Sequence, residues 1–263
     1  MRITEAFQQA ANDGRAALIP FLTAGDPNIG ATVVLGKALA EAGADIIELG
    51  IPFSDPIADG PTIQAASKRA LDAGFSLKSL WGCCHELREG PPLVLMTYYN
   101  PVYHMGLSTF AAKAAASGVA GVIIPDLPPE EAADWKAAAT AEGLDTIFLL
   151  APTSNERRVR VVDRASTGFI YYVSLTGVTG ARTELPPELE AALGEIRSAV
   201  GKPVAVGFGI SRPEQVARLA PLADGIIVGS ALVRLLEQGG SLEEQAERLR
   251  GHVAALRAAC GRA

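Results

Sequence analysis

The sequence predicts an α/β protein of the (β/α)8 TIM-barrel class. Eight short, mostly apolar runs recur along the chain, as strands buried on both faces of a parallel sheet do. The stretches between them space apolar residues three and four positions apart, which is typical of amphipathic helices. The 263 residues suit one barrel, which takes roughly 250 residues. We therefore expect residues 1–263 to form a single TIM-barrel domain.

The eight predicted strands follow one another with helical stretches between them. They are Ala17–Thr23, Asp45–Leu49, Leu93–Thr97, Gly121–Ile124, Thr146–Leu150, Phe169–Val173, Pro203–Val206 and Gly225–Val228. An open doubly wound sheet is the main competitor, but it favours a G-x-G-x-x-G turn after the first strand. The segment Thr23–Pro27 reads TAGDP and lacks that pattern. Strict alternation of strand and helix therefore favours the closed barrel.

Local signals mark several helix ends. Three segments fit a capping box, in which a hydroxyl and a later carboxylate satisfy free amides: Thr153–Glu156, Ser211–Glu214 and Ser241–Glu244. Three glycines, Gly43, Gly118 and Gly143, stand where a helix ends in a left-handed residue.

Three segments exceed the minimal barrel pattern. Residues 61–90 are long enough for two helices separated near Gly74, so we expect an extra helix after the second strand. The segment Thr4–Asn12 predicts an extra N-terminal helix that closes the bottom of the barrel. The loop Thr176–Pro187 is longer than a barrel needs and is typical of a lid.

Composition narrows the classes of function. The net charge of -6, with acidic and basic residues interspersed, disfavours nucleic acid and anionic membranes as the main partner. Cysteines Cys83, Cys84 and Cys260 do not form a disulfide framework, which favours reduced thiols. The N-terminal segment lacks an apolar signal region, and no apolar run approaches the roughly 20 residues needed to span a bilayer. These features predict a cytoplasmic protein.

The ends of the strands are where barrel enzymes place their active sites. Glu48 lies near the end of the second predicted strand, and none of the eight strand runs contains a lysine or arginine. A carboxylate buried there without a cation has a raised pKa, which suits proton transfer near neutrality. The following loop holds Asp55 and Asp59; spacing alone does not decide which one lies beside Glu48.

Glycines at the ends of the last two strands indicate an anion site. Gly207 and Gly209 follow one strand, and Gly229 with Ser230 follows the next. Backbone amides can approach a phosphate closely there, as in other barrels of this class. Of Tyr171 and Tyr172, only one can face the barrel interior.

Two kinds of chemistry are disfavoured by the residues. His85, His104 and His252 are scattered without metal-ligand spacing, so we expect no metal site. Lys202 is the only lysine next to a strand, and it precedes that strand, which places it at the opposite end of the barrel from the site. A Schiff-base mechanism is therefore disfavoured.

The segment Glu48–Gln64, ELGIPFSDPIADGPTIQ, closely resembles the signature block of the tryptophan synthase alpha chain family. Further matches are PFLTAGDP at Pro20–Pro27, YYNP at Tyr98–Pro101, PDLP at Pro125–Pro128, SLTGVTG at Ser174–Gly180 and GFGI at Gly207–Ile210. The resemblance covers essentially the whole chain. It implies a lyase that cleaves indole-3-glycerol phosphate to indole and glyceraldehyde 3-phosphate, in the biosynthesis of L-tryptophan.

The resemblance also implies roles for particular residues. Glu48 matches the principal acid/base, Asp59 the carboxylate that binds the indole N–H, and Tyr171 the tyrosine near that glutamate. Substrate and phosphate contacts are implied for Phe21, Thr179, Gly180, Phe208, Gly209, Gly229 and Ser230. Met96 and Leu149 correspond to further apolar walls of the indole pocket.

The partner and cofactor are likewise implied only by resemblance. The loops around Asp55 and Asp126 resemble surfaces that meet a beta chain in an alpha2beta2 heterotetramer. That beta chain carries pyridoxal phosphate, and this chain needs no cofactor. Several family members carry an arginine or another polar residue at the position of Leu175. The resemblance therefore does not decide how the loop after the sixth strand closes in this chain.

Three other functions remain open at this point. A stand-alone indole-3-glycerol phosphate lyase would be fast without a partner, and a sugar-phosphate isomerase or epimerase would release no indole. A non-catalytic regulatory subunit would need neither Glu48 nor Asp59.

Overall fold

Eight parallel strands form a closed barrel in the computed structural model, and each strand pairs with the next one along the chain. The structure describes residues 1–173, 189–207 and 209–262. The strands are β1 Ala17–Thr23, β2 Ile47–Gly50, β3 Leu93–Met96, β4 Val119–Ile123, β5 Asp145–Leu150, β6 Ile170–Val173, β7 Val204–Gly207 and β8 Gly225–Val228. Strand β8 also pairs with β1, with Gly225 beside Ala17, and this closes the barrel. The predicted (β/α)8 class is confirmed.

Helices connect the strands and surround the barrel. In the described part of the chain they are α1 Ile3–Asn12, α2 Ile29–Glu41, α3 Pro61–Asp72, α4 Leu77–Leu87, α5 Tyr99–Met105, α6 Leu107–Ala116, α7 Ala133–Ala141, α8 Glu156–Ala165, α9 Leu189–Ala199, α10 Pro213–Leu219, α11 Ser230–Leu236 and α12 Leu242–Ala258. Helices α3 and α4 confirm the extra helix predicted after the second strand. The predicted loop Thr176–Pro187 lies outside the described residues.

One of the three capping boxes has the predicted form. The Ser241 hydroxyl accepts from the Glu244 amide, and the Glu244 carboxylate accepts from the Ser241 amide. The other two predictions were wrong by one or two residues. Asn155 caps α8 in place of Thr153, because its side chain already accepts from the Arg158 amide. At α10, Pro213 occupies the first helical position, and the residue before it becomes the cap.

Helix α1 closes the lower end of the barrel, as predicted. Its buried residues Ile3 and Phe7 join the apolar cluster of the barrel interior, and the Phe7 ring lies 5.5 Å from that of Phe169. Glycines on two strands make room for this helix. A Cβ atom at Gly121 would stand 2.8 Å from Ile3, and one at Gly225 would stand 2.9 Å from Phe7. The barrel is therefore packed shut at this end.

A buried ion pair also lies at the lower end. The Arg15 guanidinium donates to both oxygens of Asp45, over 2.6 and 2.8 Å. The Leu18 amide donates to the same carboxylate over 2.8 Å. Because Asp45 directly precedes β2, this pair joins β1, β2 and the segment after α1. In the Asp45 carboxylate, both oxygens have partners.

A second, larger apolar cluster lies between the strands and the surrounding helices. Across its boundary, Tyr172 packs outward in this cluster, whereas Tyr171 faces the barrel interior. Because side chains alternate along β6, only one of the two tyrosines can face the barrel interior, and that residue is Tyr171. None of the helices described here is both long and apolar enough to cross a membrane.

Candidate active site

A cavity opens at the carboxyl ends of the strands, opposite α1. It has a volume of about 590 Å³, counting the space that opens to solvent. Seven of the ten predicted site residues line it: Phe21, Glu48, Asp59, Tyr171, Gly209, Gly229 and Ser230. The other three, Thr179, Gly180 and Phe208, lie outside the described residues. Residues from five strands and three loops thus meet at one place.

Glu48 is the most deeply buried charged group of the cavity. Its side chain, in the middle of β2, is 1% exposed. Its Oε2 atom is buried without a hydrogen-bond partner. Burial, together with the nearby negative charge of Asp59, raises the pKa of Glu48 to about 8. Glu48 is therefore protonated over much of the neutral range and can donate a proton.

Asp59 reaches the same cavity from the loop before α3. Burial raises its pKa to about 6, although a hydrogen bond from the Tyr98 hydroxyl lowers it. The Tyr98 oxygen in turn accepts from the Ala58 amide over 2.9 Å, which fixes this part of the loop. Asp55, the other candidate in the loop, is exposed and does not line the cavity. The geometry therefore separates two aspartates that the spacing left equivalent.

Phe21 owes its position to a glycine on the neighbouring strand. Phe21 pairs with Glu48 in the register of β1 and β2, so the two side chains lie at the same level. A Cβ atom at Gly50 would stand 2.5 Å from the Phe21 ring. Any larger residue at position 50 would move the ring away from its place beside the cavity.

Tyr171 depends on a glycine in the same way. A Cβ atom at Gly207, at the end of β7, would stand 2.6 Å from the Tyr171 hydroxyl oxygen and 2.9 Å from its ring. Burial, with the negative charges of Glu48 and Asp59, raises the pKa of Tyr171 well above its usual value. The tyrosine therefore stays neutral and able to donate a hydrogen bond beside the carboxylates.

Glycine-rich strand ends also line the cavity. Gly209 has a φ of +81°, a left-handed conformation that favours glycine. Gly229 and Ser230 stand at the start of α11 and line the cavity with it. The cavity thus has both carboxyl groups and glycine-rich strand ends in its lining.

Several cavity residues were not predicted. They include Ile63 from α3, Ile227 from β8 and Arg234 from α11. Helix spacing could have indicated Arg234, because it lies one turn after Ser230. Met96 lines the cavity as the resemblance implied. Leu149 does not: it pairs with Tyr171 across β5 and β6, but it borders a separate surface depression.

Within the residues described, no group of three or more histidine, cysteine or acidic side chains is arranged to hold a metal ion.

Known proteins with similar sequences identify the family of this chain. The family model described as tryptophan synthase alpha chain matches residues 7–260. A tryptophan synthase alpha chain of Geobacter sulfurreducens is 52% identical over 262 residues, covering 99% of each chain. The chain belongs to the tryptophan synthase alpha chain family. An archaeal relative of the same name, from Methanosarcina mazei, is 48% identical over 94% of this chain and 91% of its own.

Solved structures of tryptophan synthase have the same fold. One from Mycobacterium tuberculosis superposes with a TM-score of 0.91 at 41% identity, covering 100% of this chain and 99% of the other. The tryptophan synthase alpha subunit of Legionella pneumophila gives 0.90 at 35% identity, with 98% of each chain covered.

Membership of the tryptophan synthase alpha chain family establishes the reaction. The chain is a carbon–carbon lyase that cleaves indole-3-glycerol phosphate to indole and glyceraldehyde 3-phosphate, the alpha reaction of tryptophan biosynthesis. The stand-alone lyase is not favoured by these relatives, and a sugar-phosphate isomerase or a purely regulatory subunit does not agree with them.

Proposed function

We propose that Glu48 and Asp59 divide the proton chemistry of this cleavage between them. The observation that carries the proposal is their unequal environment in one cavity: the pKa of Glu48 is raised to about 8 and that of Asp59 to about 6. Near neutral pH, Glu48 therefore holds a proton while Asp59 is ionised. Two carboxyl groups with separated pKa values can take different roles in one reaction.

Glu48 moves the proton. It donates to C3 of the indole ring, which leaves a positive charge on the ring nitrogen. The Glu48 carboxylate then takes the proton from the glycerol hydroxyl next to the scissile bond. As that oxygen becomes the aldehyde, the carbon–carbon bond breaks and its electron pair restores the aromatic indole. The glutamate ends protonated, as it began.

Asp59 stabilises the charge that develops during this step. Its ionised carboxylate accepts from the indole N–H and offsets the positive charge on the ring nitrogen. Tyr98 holds the carboxylate from one side through its hydroxyl. Tyr171 lines the same cavity and, being neutral, can donate a hydrogen bond there.

The substrate spans the cavity from the carboxylates to the glycines. Phe21 and Met96 form apolar walls for the indole ring. The resemblance assigns phosphate binding to Gly180, Phe208, Gly209, Gly229 and Ser230, and closure toward Asp59 to Thr179; of these, Thr179, Gly180 and Phe208 lie outside the described residues. Gly209 and Ser230 support this part of the proposal, because both line the cavity that Asp59 also lines.

No cofactor in this chain is needed for these steps, because protonation of the ring supplies the place where electrons go. We infer that the product indole passes to a pyridoxal-phosphate beta chain in an alpha2beta2 complex. Exposed hydrophobic side chains support this partner: Ile57, in the loop before α3, is 85% exposed, and Tyr103, on α5, is 67% exposed. Free cysteines Cys83, Cys84 and Cys260 support a cytoplasmic location.

The partner is tested by measuring indole release from indole-3-glycerol phosphate by the purified chain, with and without a bacterial beta subunit. We expect slow release alone and much faster release with the partner. Equal, fast release in both conditions would mean an independent lyase.

The role of Asp59 is tested with Asp59→Asn in the same assay. We expect a loss of about 100-fold in kcat, because an amide cannot offset the charge on the ring nitrogen. Asp72→Asn is the matched control: Asp72 lies on the exposed face of α3, where it pairs with Lys68. An Asp59→Asn variant as active as the control would refute the role.

A further inference from the structure

The charges that face the cavity are unevenly distributed. Two carboxyl groups line it, and its lining holds a single cationic side chain among the described residues, that of Arg234. A phosphomonoester brings close to two further negative charges at neutral pH. Backbone amides donate hydrogen bonds to a phosphate but carry no net charge. A phosphate bound beside Gly229 and Ser230 therefore has one described side chain that can balance its charge.

The position of Arg234 on α11 directs it toward this end of the cavity. Arg234 lies four residues after Ser230, one helical turn along the same face. Side chains of a helix tilt toward its amino end, which in α11 is the end with Gly229 and Ser230. Its side chain donates to the Thr62 hydroxyl over 3.4 Å, a long hydrogen bond at the start of α3. The guanidinium thus lies between the two helices that border the cavity.

Arg234 also differs from Arg69, an arginine of the neighbouring helix α3. Arg69 of α3 is bound on two sides, by both oxygens of Asp26 over 2.9 and 2.7 Å and by Glu237 over 3.0 Å. Arg234 forms no ion pair with a carboxylate in the described ranges, and its bond to Thr62 is neutral. Its charge is therefore available to an anion in the cavity.

We propose that Arg234 binds the phosphate end of the substrate and determines the preference for a dianion. This inference rests on the phosphate site proposed above. The phosphate does not change during the cleavage, so the contact is equally strong before and during the reaction. Such uniform binding lowers KM and leaves kcat less affected. Affinity for a phosphomonoester rises with pH through its second ionisation, near pH 6, because the dianion is the form that the guanidinium prefers. Asp59, whose pKa is about 6, ionises in the same range and opposes this rise equally in every variant, so the difference between variants reports the contribution of Arg234.

The test measures the dissociation constant of glycerol 3-phosphate, with the full chain, by calorimetry at several pH values. Arg234→Met removes the charge and keeps most of the length of the side chain, whereas Arg234→Lys keeps the charge. Arg218→Met is the matched control, because Arg218 pairs with Glu190 on the surface of α10. If Arg234→Met does not fold, as judged by its melting curve, Arg234→Gln is measured in its place.

We expect binding to weaken by about 10- to 100-fold in Arg234→Met, as for a charge-assisted hydrogen bond. Arg234→Lys retains most of the affinity, and the Arg218→Met control binds like the unaltered chain. KM for indole-3-glycerol phosphate rises in parallel in Arg234→Met, and the increase in affinity with pH becomes smaller.

Two results would overturn the role of Arg234 while leaving the proposed phosphate site intact. One is unaltered affinity in Arg234→Met, and the other is an equal loss in the Met and Lys variants, which would exclude charge as the cause. If the unaltered chain itself does not bind glycerol 3-phosphate, the phosphate site is refuted together with this inference.

Discussion

Two carboxyl groups three residues apart, one just before β2 and one within it, have opposite environments. Asp45, just before β2, receives three hydrogen bonds, two from Arg15 and one from the Leu18 amide. Glu48, three residues later, is buried with one oxygen unpartnered. A buried polar group without a hydrogen-bond partner costs stability, whereas the ion pair and hydrogen bonds of Asp45 offset the cost of burying it. The lower end of the barrel is therefore built for stability and the upper end for proton transfer.

The same contrast holds for the glycines. At the lower end, Gly121 and Gly225 make room for Ile3 and Phe7 of α1, which fill the barrel. At the upper end, Gly50 and Gly207 make room for Phe21 and Tyr171, which border an open cavity. Close packing against glycine thus closes one end and shapes the other.

The largest difference between the two carboxylates is expected in turnover. Glu48→Gln removes the proton donor and should lower kcat by at least about 1000-fold, the upper range for general acid–base catalysis. Binding of glycerol 3-phosphate should persist, because the phosphate end does not involve Glu48. Asp45→Asn is the control at the other end of β2 and should leave the kcat of the folded protein near that of the unaltered chain. Turnover retained by Glu48→Gln would refute the assignment.

For stability we expect the larger loss in Asp45→Asn and not in Glu48→Gln. Asp45→Asn leaves the buried Arg15 guanidinium with one carboxylate, that of the partly exposed Asp13 at 3.0 Å, and such a loss costs about 3 kcal/mol of unfolding free energy. Chemical denaturation of Asp45→Asn, Glu48→Gln and the unaltered chain measures this directly. If Asp45→Asn were as stable as the unaltered chain, the lower end would not have the role we give it.

The stability of the unaltered chain and that of Glu48→Gln should depend differently on pH. The pKa of Glu48 is raised from 4.5 to about 8 in the folded protein, so the folded state keeps a proton that the unfolded chain releases. Stability therefore falls as pH rises from about 4.5 to about 8, by on the order of 3 to 5 kcal/mol for this group. Glu48→Gln should lack this decrease and gain stability relative to the unaltered chain as pH rises. Parallel curves for the two proteins would contradict a raised pKa.

The smallest effect is expected from the glycine beside Tyr171. Gly207→Ala would push the tyrosine from its place and lower kcat/KM by about 10- to 100-fold, as displacements of about 1 Å do. Gly194→Ala is the matched control, since a Cβ atom at Gly194, in α9, meets nothing within 4 Å. The control should keep full activity and gain up to about 1 kcal/mol from helix propensity. Equal activity of the two variants would remove the role of Gly207.

The barrel and one of its two carboxyl groups could be predicted from the sequence. The eight strands follow from apolar runs, and the site residue Glu48 follows from the absence of a cation in any of them. Asp59 could not be separated from Asp55 by spacing, because both stand in one loop and only its path brings one of them to the cavity. The resemblance to the family selected Asp59, and the geometry agrees with that choice.

The remaining features depend on contacts between distant residues. Gly50 and Gly207 act through aromatic rings on other strands, and no local signal in the sequence marks such a contact. Capping was predicted correctly at Ser241 but not at Thr153 or Ser211. In both failures a neighbour was better suited: Asn155 accepts the amide hydrogen bond, and Pro213 fixes where α10 begins.

At neutral pH, Glu48 should carry a proton and Asp59 should not. Carbon-13 NMR of the chain labelled at its side-chain carboxyl groups tests this directly, with Glu48→Gln and Asp59→Asn to assign the two signals. We expect the Glu48 signal to titrate near pH 8 and the Asp59 signal near pH 6. Titration of Glu48 in the ordinary range of a glutamate, near pH 4.5, would contradict the account.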